Sequence, residues 1–414
     1  MKKIIKKIAN KIKGTPFENR SYVVGGYVRD RVMGKTSSDL DIVVELFDGG
    51  IKLANYLYKE GIASRPFIFP RFSTAVIQIN HHKIEFVMTR KEFYIKNSRK
   101  PDVDHATIQE DVLRRDFTVN TLLMNISTGE ILDLTGQGKS DIKNKIIRST
   151  SEADEIFVED PLRMLRAIRF AVQLGFKIEE STKAGINRNN EMLSTISRER
   201  QRDELEKILL SSEPVRGVNL LIDFNLISTI IPEFKKRKYL NSIPKVLRNS
   251  EPDLSIRLAI FLNNYELSKV ENILRRLKFS NRQIRSVKLL IRNYHKISSK
   301  IKRGHNLSDA ELRKIIYNNP HDLNQTIKIL KAFFTNVASL KEYKVEFSRF
   351  INRLLELNNI FSEKTFPVDG EDIKNTFNIV SGPKVGLILK KAKNLWFKHP
   401  NWSKNKILKS LKIK

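Results

Sequence analysis

The sequence predicts an α+β protein in which a small α/β head with a mixed β-sheet is followed by an elongated all-α neck, body and tail. Short β-branched or apolar runs, which are typical of strands, are confined to the region from Tyr22 to about Arg148. From Asp154 onward, long stretches with a period of 3.6 residues replace them. This change of pattern indicates two architectures within one chain.

The head is predicted to begin after an amphipathic N-terminal helix. Met1 to Gly14 is basic with isoleucines at helical spacing, and it lacks the long apolar segment and cleavage site of a targeting peptide. Tyr94 to Thr107 is polar, contains Pro101 and predicts a mobile loop. The other predicted head elements are the helix Gly49 to Glu60 and the strand-like runs Val23-Val24, Asp41 to Val44, Ala75 to Ile79 and Ile84 to Met88.

Helices are predicted for the rest of the chain, because apolar residues recur there three and four positions apart. The clearest stretches are Pro161 to Leu174, Arg198 to Leu210, Leu254 to Leu262, Lys269 to Leu277, Asn281 to Tyr294, Asp309 to Tyr317 and Glu371 to Phe377. We place domain boundaries to give a head over 1–148, a helical neck over 149–234 and a helical body and tail over 235–414.

Composition limits the class of protein. The chain has 414 residues, more than one ordinary domain, and 40% of them are hydrophobic, which is enough for a buried core. The sequence contains no cysteine, so a disulfide framework, a thiolate zinc site and a cysteine nucleophile are excluded. No run of 18 apolar residues occurs, so we expect no membrane association and a cytoplasmic location.

Positive charge is concentrated in the second part of the sequence. The formal net charge is +30. Residues 1–234 carry 37 basic and 32 acidic groups, a balance of +5, whereas residues 235–414 carry 39 and 14, a balance of +25. A solvated lysine-rich surface is one interpretation. Binding to the phosphates of a nucleic acid is the other, and it is favoured because drift in composition would raise the charge everywhere.

Two carboxylates form the first candidate site. Asp39 and Asp41 are two residues apart at the start of an apolar strand-like run, so alternation places them on one face. A divalent cation such as Mg²⁺ would offset their repulsion and keep phosphate and water as its other ligands. Gly25-Gly26 allows a backbone to approach phosphates closely, and Arg29 is placed to pair with them. A turn with solvated acids is the alternative.

A third carboxylate is expected from a neighbouring strand, as in two-metal phosphoryl-transfer sites. Glu85 lies between apolar residues in the run from Lys83 to Val87 and fits that position. The alternative is an edge-strand glutamate that faces water. His81 and His82 are predicted to be turn residues rather than metal ligands.

Several motifs occur in the order of a known family. The sequence resembles the bacterial class II tRNA nucleotidyltransferases, the CCA-adding enzymes, and the related bacterial poly(A) polymerases. The resemblance covers most of the chain and is densest over residues 22–210. It is carried by GGYVRD, SDLDIVV, RRDFTVN (Arg114 to Asn120), EDPLRMLRAIRFA (Glu159 to Ala171), SRERQRDELEKILL (Ser197 to Leu210) and VDGEDIKNTFNIVSGPKVGLILK (Val368 to Lys390).

The resemblance implies roles for the nucleotide-binding residues. It implies a nucleotidyltransferase-type head in which Arg114, Arg115 and Asp116 recognise the sugar and phosphates of the nucleotide. Asn120 adds an amide one helical turn later; a helix N-terminus with a balancing ion pair is the alternative.

The resemblance also implies that Asp160 and Arg163 hydrogen-bond the edge of the incoming base. Asp160 and the arginines at 163, 166 and 169 recur every three residues, so we expect a connected stripe on one helix. Arg166 and Arg169 would then reach phosphates or lock the geometry, and a solvated arginine face is the alternative.

Other segments bear on activity and on RNA binding. Asp133 to Arg148 resembles the family's hinge, and Tyr94 to Thr107 matches its flexible loop in position. Many relatives carry a His-Asp phosphohydrolase motif near Ile260 to Asn264, where this sequence has neither histidine nor aspartate, so we expect no added phosphatase or phosphodiesterase activity. Lys235 to Lys238 and the tail from Trp396 to Lys414 are candidates for gripping RNA; a packed terminal helix is the alternative for the tail.

The expected activity is therefore addition of CCA to the 3′ end of tRNA from CTP and ATP, with Mg²⁺ held by Asp39 and Asp41 and assistance from Glu85. A poly(A) polymerase and a partial enzyme that adds only A or only CC remain alternatives from the motifs. A non-catalytic RNA-binding protein is a further alternative, which the intact acid pair disfavours.

Overall fold

The fold was analysed in a computed structural model, which describes residues 1–37, 39–93, 102–235, 243–303, 307–318, 323–336 and 343–411. The chain divides into two compact units, Met1–Lys235 and Lys236–Lys414. Within the described residues, no helix combines the length and apolarity that crossing a membrane requires.

The first unit contains the β-sheet and a set of helices. In chain order its elements are α1 (Lys2–Ile12), β1 (Ser21–Val24), α2 (Gly26–Val32), β2 (Leu40–Val44), α3 (Gly49–Lys59), β3 (Phe67–Phe69), β4 (Thr74–Ile79), β5 (His82–Met88), β6 (Arg90–Phe93), β7 (Asp102–His105), α4 (Ile108–Leu113), β8 (Leu123–Asn125), β9 (Ile131–Leu132), α5 (Gly138–Asn144), β10 (Ile146–Ile147), α6 (Ala153–Glu159), α7 (Leu162–Leu174), β11 (Lys177–Ile178), α8 (Glu180–Asn189), α9 (Arg198–Leu209), α10 (Pro214–Asp223) and α11 (Leu226–Ile230). Short 3₁₀ helices cover Pro70–Phe72, Thr118–Asn120, Asn190–Thr195 and Pro232–Lys235.

Seven strands form one sheet in the order β3-β4-β5-β2-β1-β8-β9. β2 and β5 run parallel, and the other neighbours are antiparallel. The sheet is therefore mixed, and the described elements that follow it are almost entirely helical, which confirms the predicted fold class.

The two faces of the sheet differ. α3 covers one face so closely that a Cβ added at Gly50 would lie 2.7 Å from the carbonyl oxygen of Phe86. On the other face, Tyr22, Val43 and Val112 belong to a buried apolar cluster. Asp41 points to that same face, two residues before Val43. The carboxylate thus lies where the apolar covering of the sheet ends.

Two predicted loop segments have regular structure. Asp102–His105 forms β7 and pairs antiparallel with β6, so the predicted loop is shorter at its C-terminal end; residues 94–101 lie outside the described residues. The segment that resembles the hinge contains α5, and a Cβ at Gly138 would lie 2.8 Å from the carbonyl oxygen of Thr118. Gly138 therefore permits close packing, while Gly136 supplies a positive φ of 69° for the turn before α5.

The second unit is helical wherever it is described. Its elements are α12 (Ile243–Leu247), α13 (Leu254–Leu262), α14 (Leu267–Arg276), α15 (Asn281–Lys302), α16 (Asp309–Asn318), α17 (Leu323–Asn336), α18 (Lys344–Phe361), α19 (Gly370–Phe377), α20 (Pro383–Lys398) and α21 (Lys404–Ser410).

Aromatic residues of the tail are mostly part of the core of the second unit. Trp396 is 1% exposed and contacts the rings of Tyr317, Phe361 and Phe397. Phe397 is also buried, so the packed alternative holds for these two residues, while Trp402 stacks on His399. In the basic run Lys235 to Lys238, the residues after Lys235 lie outside the described part of the chain.

Candidate active site

A cleft of about 1180 Å³ opens in the first unit. It is lined by the end of β1, the start of α2, β2, the segment after α4 and the start of α7. Asp39, Glu85 and Arg169 are predicted site residues that do not line it. The predicted residues that do are Gly25, Gly26, Arg29, Asp41, Arg114, Arg115, Asp116, Asn120, Asp160, Arg163 and Arg166.

The carboxylates meet because β2 and β5 are parallel neighbours. Asp41 on β2 is the direct register partner of Glu85 on β5, and Asp39 precedes β2 by one residue. On the other side, Asp41 faces Val24, after which the chain turns at Gly25 with a φ of 68°. A Cβ at Gly25 would be 4.0 Å from Asp41 Oδ2. Glycine is required there for its backbone conformation and not for space.

Negative charge at this point is not fully compensated. Burial raises the pKa of Asp41 to about 6, with further increases from Glu85 and Asp39, while Arg115 lowers it. Asp41 is accessible to solvent because the cleft is open. Protein nevertheless surrounds the carboxylate closely enough to weaken its hydration. Its environment thus favours a bound cation or a proton.

The carboxylates fit a divalent cation that keeps open coordination positions. Among the described residues, no group of three or more His, Asp or Glu side chains is arranged to hold a metal ion. Glu85 therefore does not complete a three-carboxylate cluster with Asp39 and Asp41 in this structure. Proteins usually hold Mg²⁺ through one or two carboxylates, with phosphate and water as the other ligands, and Asp39 and Asp41 fit that pattern.

Asp111 anchors the two arginines that precede Asp116. Its side chain is fully buried, and its two oxygens lie 2.6 Å from Arg114 Nη2 and 2.7 Å from Arg115 Nη2. Burial alone would raise the pKa of Asp111, but the guanidinium groups of Arg115 and Arg114 outweigh burial and hold the pKa below its usual value. The Arg90 backbone N–H also donates to this carboxylate. One acid therefore fixes both cations at the cleft.

Asp116 organises the floor of the cleft. Its Oδ2 accepts hydrogen bonds from Arg166 Nε at 2.8 Å and Nη2 at 2.5 Å, and its Oδ1 accepts from Asn120 Nδ2 at 3.1 Å. Asn120 Oδ1 in turn accepts from Arg29 Nη1 at 2.8 Å. Burial raises the pKa of Asp116, yet Arg166 and these hydrogen bonds lower it overall. The network joins α2, the 3₁₀ helix after Phe117 and α7.

Arg29 is more enclosed than expected for an arginine whose guanidinium group is available to bind phosphate. It is 9% exposed, and its Nε and Nη2 donate to Asp30 Oδ1 at 2.9 and 2.7 Å. Its remaining terminal nitrogen donates to Asn120. In this structure Arg29 braces the start of α2, and its pairing with phosphate stays a prediction.

The predicted base-reading pair lies at the start of α7. Asp160 precedes that helix and is not part of it, so the predicted four-residue stripe on one helix is three residues long. Asp160 Oδ1 accepts from the Leu162 backbone N–H at 3.1 Å, and Oδ2 accepts from Arg200 Nη2 at 2.8 Å. The helix N-terminus thus fixes one oxygen, and a half-exposed arginine holds the other.

Arg163 and Arg169 are each fixed by an acid. Arg163 Nη1 donates to Glu159 Oε2 at 2.5 Å, and Nη2 donates to the carbonyl oxygen of Arg114 at 2.8 Å. Arg169 Nε lies 3.1 Å from Glu204 Oε2 on α9. Burial lowers the pKa of Arg169, and Glu204 only partly opposes this. Arg169 therefore serves to lock α7 against α9.

Sequence reasoning missed the partners Asp111, Glu159, Arg200 and Glu204. Asp111 stands three and four residues before the two arginines, which is the spacing of ion pairs on a helix. Its helix also begins with a capping box between Thr107 and Glu110. Those two signals were available. The pairing of α7 with α9 residues 35 and 40 positions away could not be read from spacing.

Comparisons with known proteins identify the family. Residues 21–148 match the family described as Poly A polymerase head domain, and residues 175–238 match the family described as Probable RNA and SrmB- binding site of polymerase A. The CCA-adding enzyme of Lactobacillus helveticus is 33% identical over 303 residues, which cover 72% of this chain and 73% of that protein. The chain belongs to the CCA-adding tRNA nucleotidyltransferase family.

Two further relatives match this chain over only part of their length or at low sequence identity. The A-adding tRNA nucleotidyltransferase of Aquifex aeolicus is 36% identical over 222 residues. That match covers 52% of this chain and 26% of the relative, so the chain spans about a quarter of that protein's length. The crystal structure of the Bacillus stearothermophilus CCA-adding enzyme with CTP aligns with a TM-score of 0.76, 22% identity and coverage of 97% and 94% of the two chains. At this identity the likeness shows the fold.

Asp111→Ala is expected to destabilise the protein strongly. Removing the acid would leave two guanidinium groups beside a buried site, at a cost of about 3–5 kcal/mol in the free energy of unfolding. Asp154→Ala is the matched control, because Asp154 pairs with Arg188 in an exposed ion pair. Urea unfolding of both variants measures the difference, and equal destabilisation would contradict the anchoring role of Asp111.

Asp41→Asn is expected to stabilise the metal-free protein at high pH. A raised pKa means that the charged form is penalised in the folded state, so the penalty is absent below about pH 4 and fully developed above about pH 6. Because solvent screens an open cleft, we expect a gain of about 1–3 °C in Tm at pH 8 with chelator and no gain at pH 4. A lower Tm at pH 8 would contradict this electrostatic account.

Proposed function

We propose that this protein adds CCA to the 3′ end of tRNA from CTP and ATP, without a nucleic-acid template and with release of pyrophosphate. The observation that carries the proposal is that Asp41, Asp160 and Arg163 line the same cleft. Phosphoryl-transfer chemistry and base recognition thus share a single site.

Asp39 and Asp41 are the residues that would hold Mg²⁺. When bound, the cation neutralises the triphosphate and favours attack by the 3′-hydroxyl on the α-phosphorus. Glu85 lies beside Asp41 in the parallel register and helps to draw the proton from that hydroxyl. The oxygen–phosphorus bond to RNA forms as the bond to pyrophosphate breaks. Catalysis is then chiefly positioning and electrostatics.

The cations of the cleft receive the triphosphate. Arg114 and Arg115 share the single negative charge of Asp111, so together they retain one net positive charge. Gly25 and Gly26 present backbone N–H groups at the start of α2, where anions are favoured. Asp116 and Asn120 recognise the ribose through the polar network that already orders them.

Base selection follows from donor and acceptor patterns. Asp160 offers only acceptors, and Arg163 offers only donors. Together they match cytosine, whose amino group donates and whose ring nitrogen and carbonyl oxygen accept. A small rotation of the same two side chains fits adenine. The ion pairs of Arg166 with Asp116 and of Arg169 with Glu204 hold α7 in place during that change.

The rest of the chain fits the same role. We assign residues 1–148 to a catalytic head, 149–234 to a neck that carries nucleotide recognition, and 235–414 to a body and tail that bind tRNA. The balance of +25 over residues 235–414 suits the acceptor stem and elbow of tRNA, which are bound through phosphates. We place the protein in the cytoplasm, where tRNA is processed.

Addition of A alone, CC alone or a poly(A) tract is the second candidate function. The Aquifex aeolicus relative is named for A addition, so membership of the family does not by itself determine the product. Sequencing the extended 3′ ends with both nucleotides present separates CCA from A, CC and a long A tract.

The decisive assay supplies tRNA lacking its terminal CCA, CTP, ATP and Mg²⁺. We expect CCA ends from the wild type, and a loss of about 10³-fold in kcat for Asp39→Ala and Asp41→Ala, since each removes a ligand of the charge-neutralising metal. Asp154→Ala is the control and should retain full kcat. No incorporation by the wild type, or full activity of Asp41→Ala, would contradict the proposal.

Asp160→Asn is expected to impair use of both nucleotides. The change keeps the shape of the side chain but turns one acceptor into a donor, so kcat/KM for CTP and ATP should fall about 10- to 150-fold. KM for tRNA should stay unchanged. Glu199→Gln makes the same chemical change on the exposed first turn of α9 and is the matched control. Equal effects of the two substitutions would contradict base reading by Asp160.

A further inference from the structure

An exposed pair of aromatic rings lies on the outer strand of the sheet. β3 is an edge strand, and Phe67 and Phe69 on it are 66% and 43% exposed. Their ring centroids are 4.9 Å apart with an edge-to-face angle of 68°. Neighbouring exposed aromatic side chains commonly mark a binding surface. We call these two residues the aromatic platform.

The aromatic platform shares a face of the sheet with the carboxylates. Phe67 is the register partner of Val76, Val76 of Glu85, and Glu85 of Asp41. Residues directly opposite one another on neighbouring strands point to the same face. Three inter-strand spacings separate Phe67 from Asp41, a distance of about 14 Å. A single row of side chains therefore connects the site of chemistry with the edge of the sheet.

Cations accompany the aromatic rings along this path. The guanidinium groups of Arg71 and Arg90 lie 5.9 and 5.8 Å from the centre of the Phe72 ring. Phe72 ends the 3₁₀ helix that directly follows β3, and Arg90 lines the catalytic cleft. Arg65, two residues before Phe67, is exposed. Arg90 therefore both lines the cleft and lies over the ring of Phe72, which directly follows β3.

Aromatic side chains interleaved with cations form the usual surface for single-stranded nucleic acid. We propose that the aromatic platform stacks bases of the single-stranded 3′ end of the acceptor RNA, and that the strand runs along the row from Phe67 to Asp41. This proposal rests on the proposed function, which supplies the RNA. At about 3.4 Å per stacked nucleotide, 14 Å corresponds to about four nucleotides.

Charge favours RNA over a protein partner at this surface. Arg65, Arg71 and Arg90 flank the aromatic segment, and its sequence from Arg65 to Phe72 contains no acidic residue. Protein interfaces depend on larger apolar areas with charged residues depleted at the centre. The position of the aromatic platform on the catalytic face also places it where the 3′ strand has to lie when its terminal hydroxyl meets Asp41.

The first test compares steady-state kinetics of Phe67→Ala/Phe69→Ala with those of Phe47→Ala. Phe47 is a matched control, because it is 62% exposed, has the Lys52 ammonium 5.6 Å from its ring centre and lies beyond the opposite end of β2. Loss of stacking on one base should raise KM for tRNA about 5- to 150-fold. KM for CTP and ATP, and Tm, should not change, since both rings are exposed.

The second test detects stacking without catalysis. Phe67→Trp keeps an aromatic surface and adds its fluorescence to that of the two native tryptophans. A hairpin RNA with a four-nucleotide 3′ overhang should quench this added fluorescence. The same hairpin with a blunt end should quench much less.

The outcomes separate this proposal from the proposed function. If the wild type adds no nucleotide to any RNA, the proposed function fails, and the fluorescence titration still decides stacking. If the wild type is active but the double alanine variant keeps its KM for tRNA and the tryptophan variant shows no quenching, the aromatic platform proposal is overturned. A shift in oligomeric state of the double variant with unchanged KM would overturn it in favour of a protein interface.

Discussion

The parallel register of β2 with β5 is the constraint on which the site depends. It places the carboxylates of Asp41 and Glu85 side by side at a position where the apolar covering of the sheet stops. Mutual repulsion and burial together raise the pKa of Asp41 to about 6. The guanidinium group of Arg115 opposes this increase in the pKa. Without this register, Asp41 and Glu85 would not be neighbours.

Each arginine of the predicted site forms an ion pair with an acidic side chain. Asp111 holds Arg114 and Arg115, Asp116 holds Arg166, and Glu204 holds Arg169. Two of these pairs join separate segments of the first unit: Asp116 with Arg166 links the segment after α4 to α7, and Glu204 with Arg169 links α9 to α7. Buried pairs of this kind contribute little net stability, and specifying one arrangement of charged groups is the role that fits them here.

The sequence predicted the sheet and the helical region well, because period-2 and period-3.6 patterns report burial directly. It also placed Asp41 and Glu85 in apolar strand-like runs, and the register of β2 with β5 makes these two residues direct neighbours. The roles of Asp39, Asp41 and Glu85 in metal binding and catalysis stay predictions. It did not predict that Arg29 is braced by Asp30 and Asn120.

Long-range pairing explains what the sequence could not predict. The partners of Asp160 and Arg169 lie on α9, and only the packing of α7 against α9 brings them close. Asp102–His105 forms a strand although its composition is polar, because pairing with β6 outweighs the low strand propensity of its residues.

The anchored arginines have an entropic as well as an electrostatic consequence. An arginine side chain that is free in solution loses about 2 kcal/mol of rotamer freedom when a ligand orders it. Arg114, Arg115 and Arg163 are held by ion pairs with Asp111 and Glu159, which belong to the protein itself. Much of that entropy has been lost during folding, so a nucleotide that binds in the cleft has less side-chain freedom to restrict. The ion pairs of the cleft therefore lower the entropic cost of nucleotide binding.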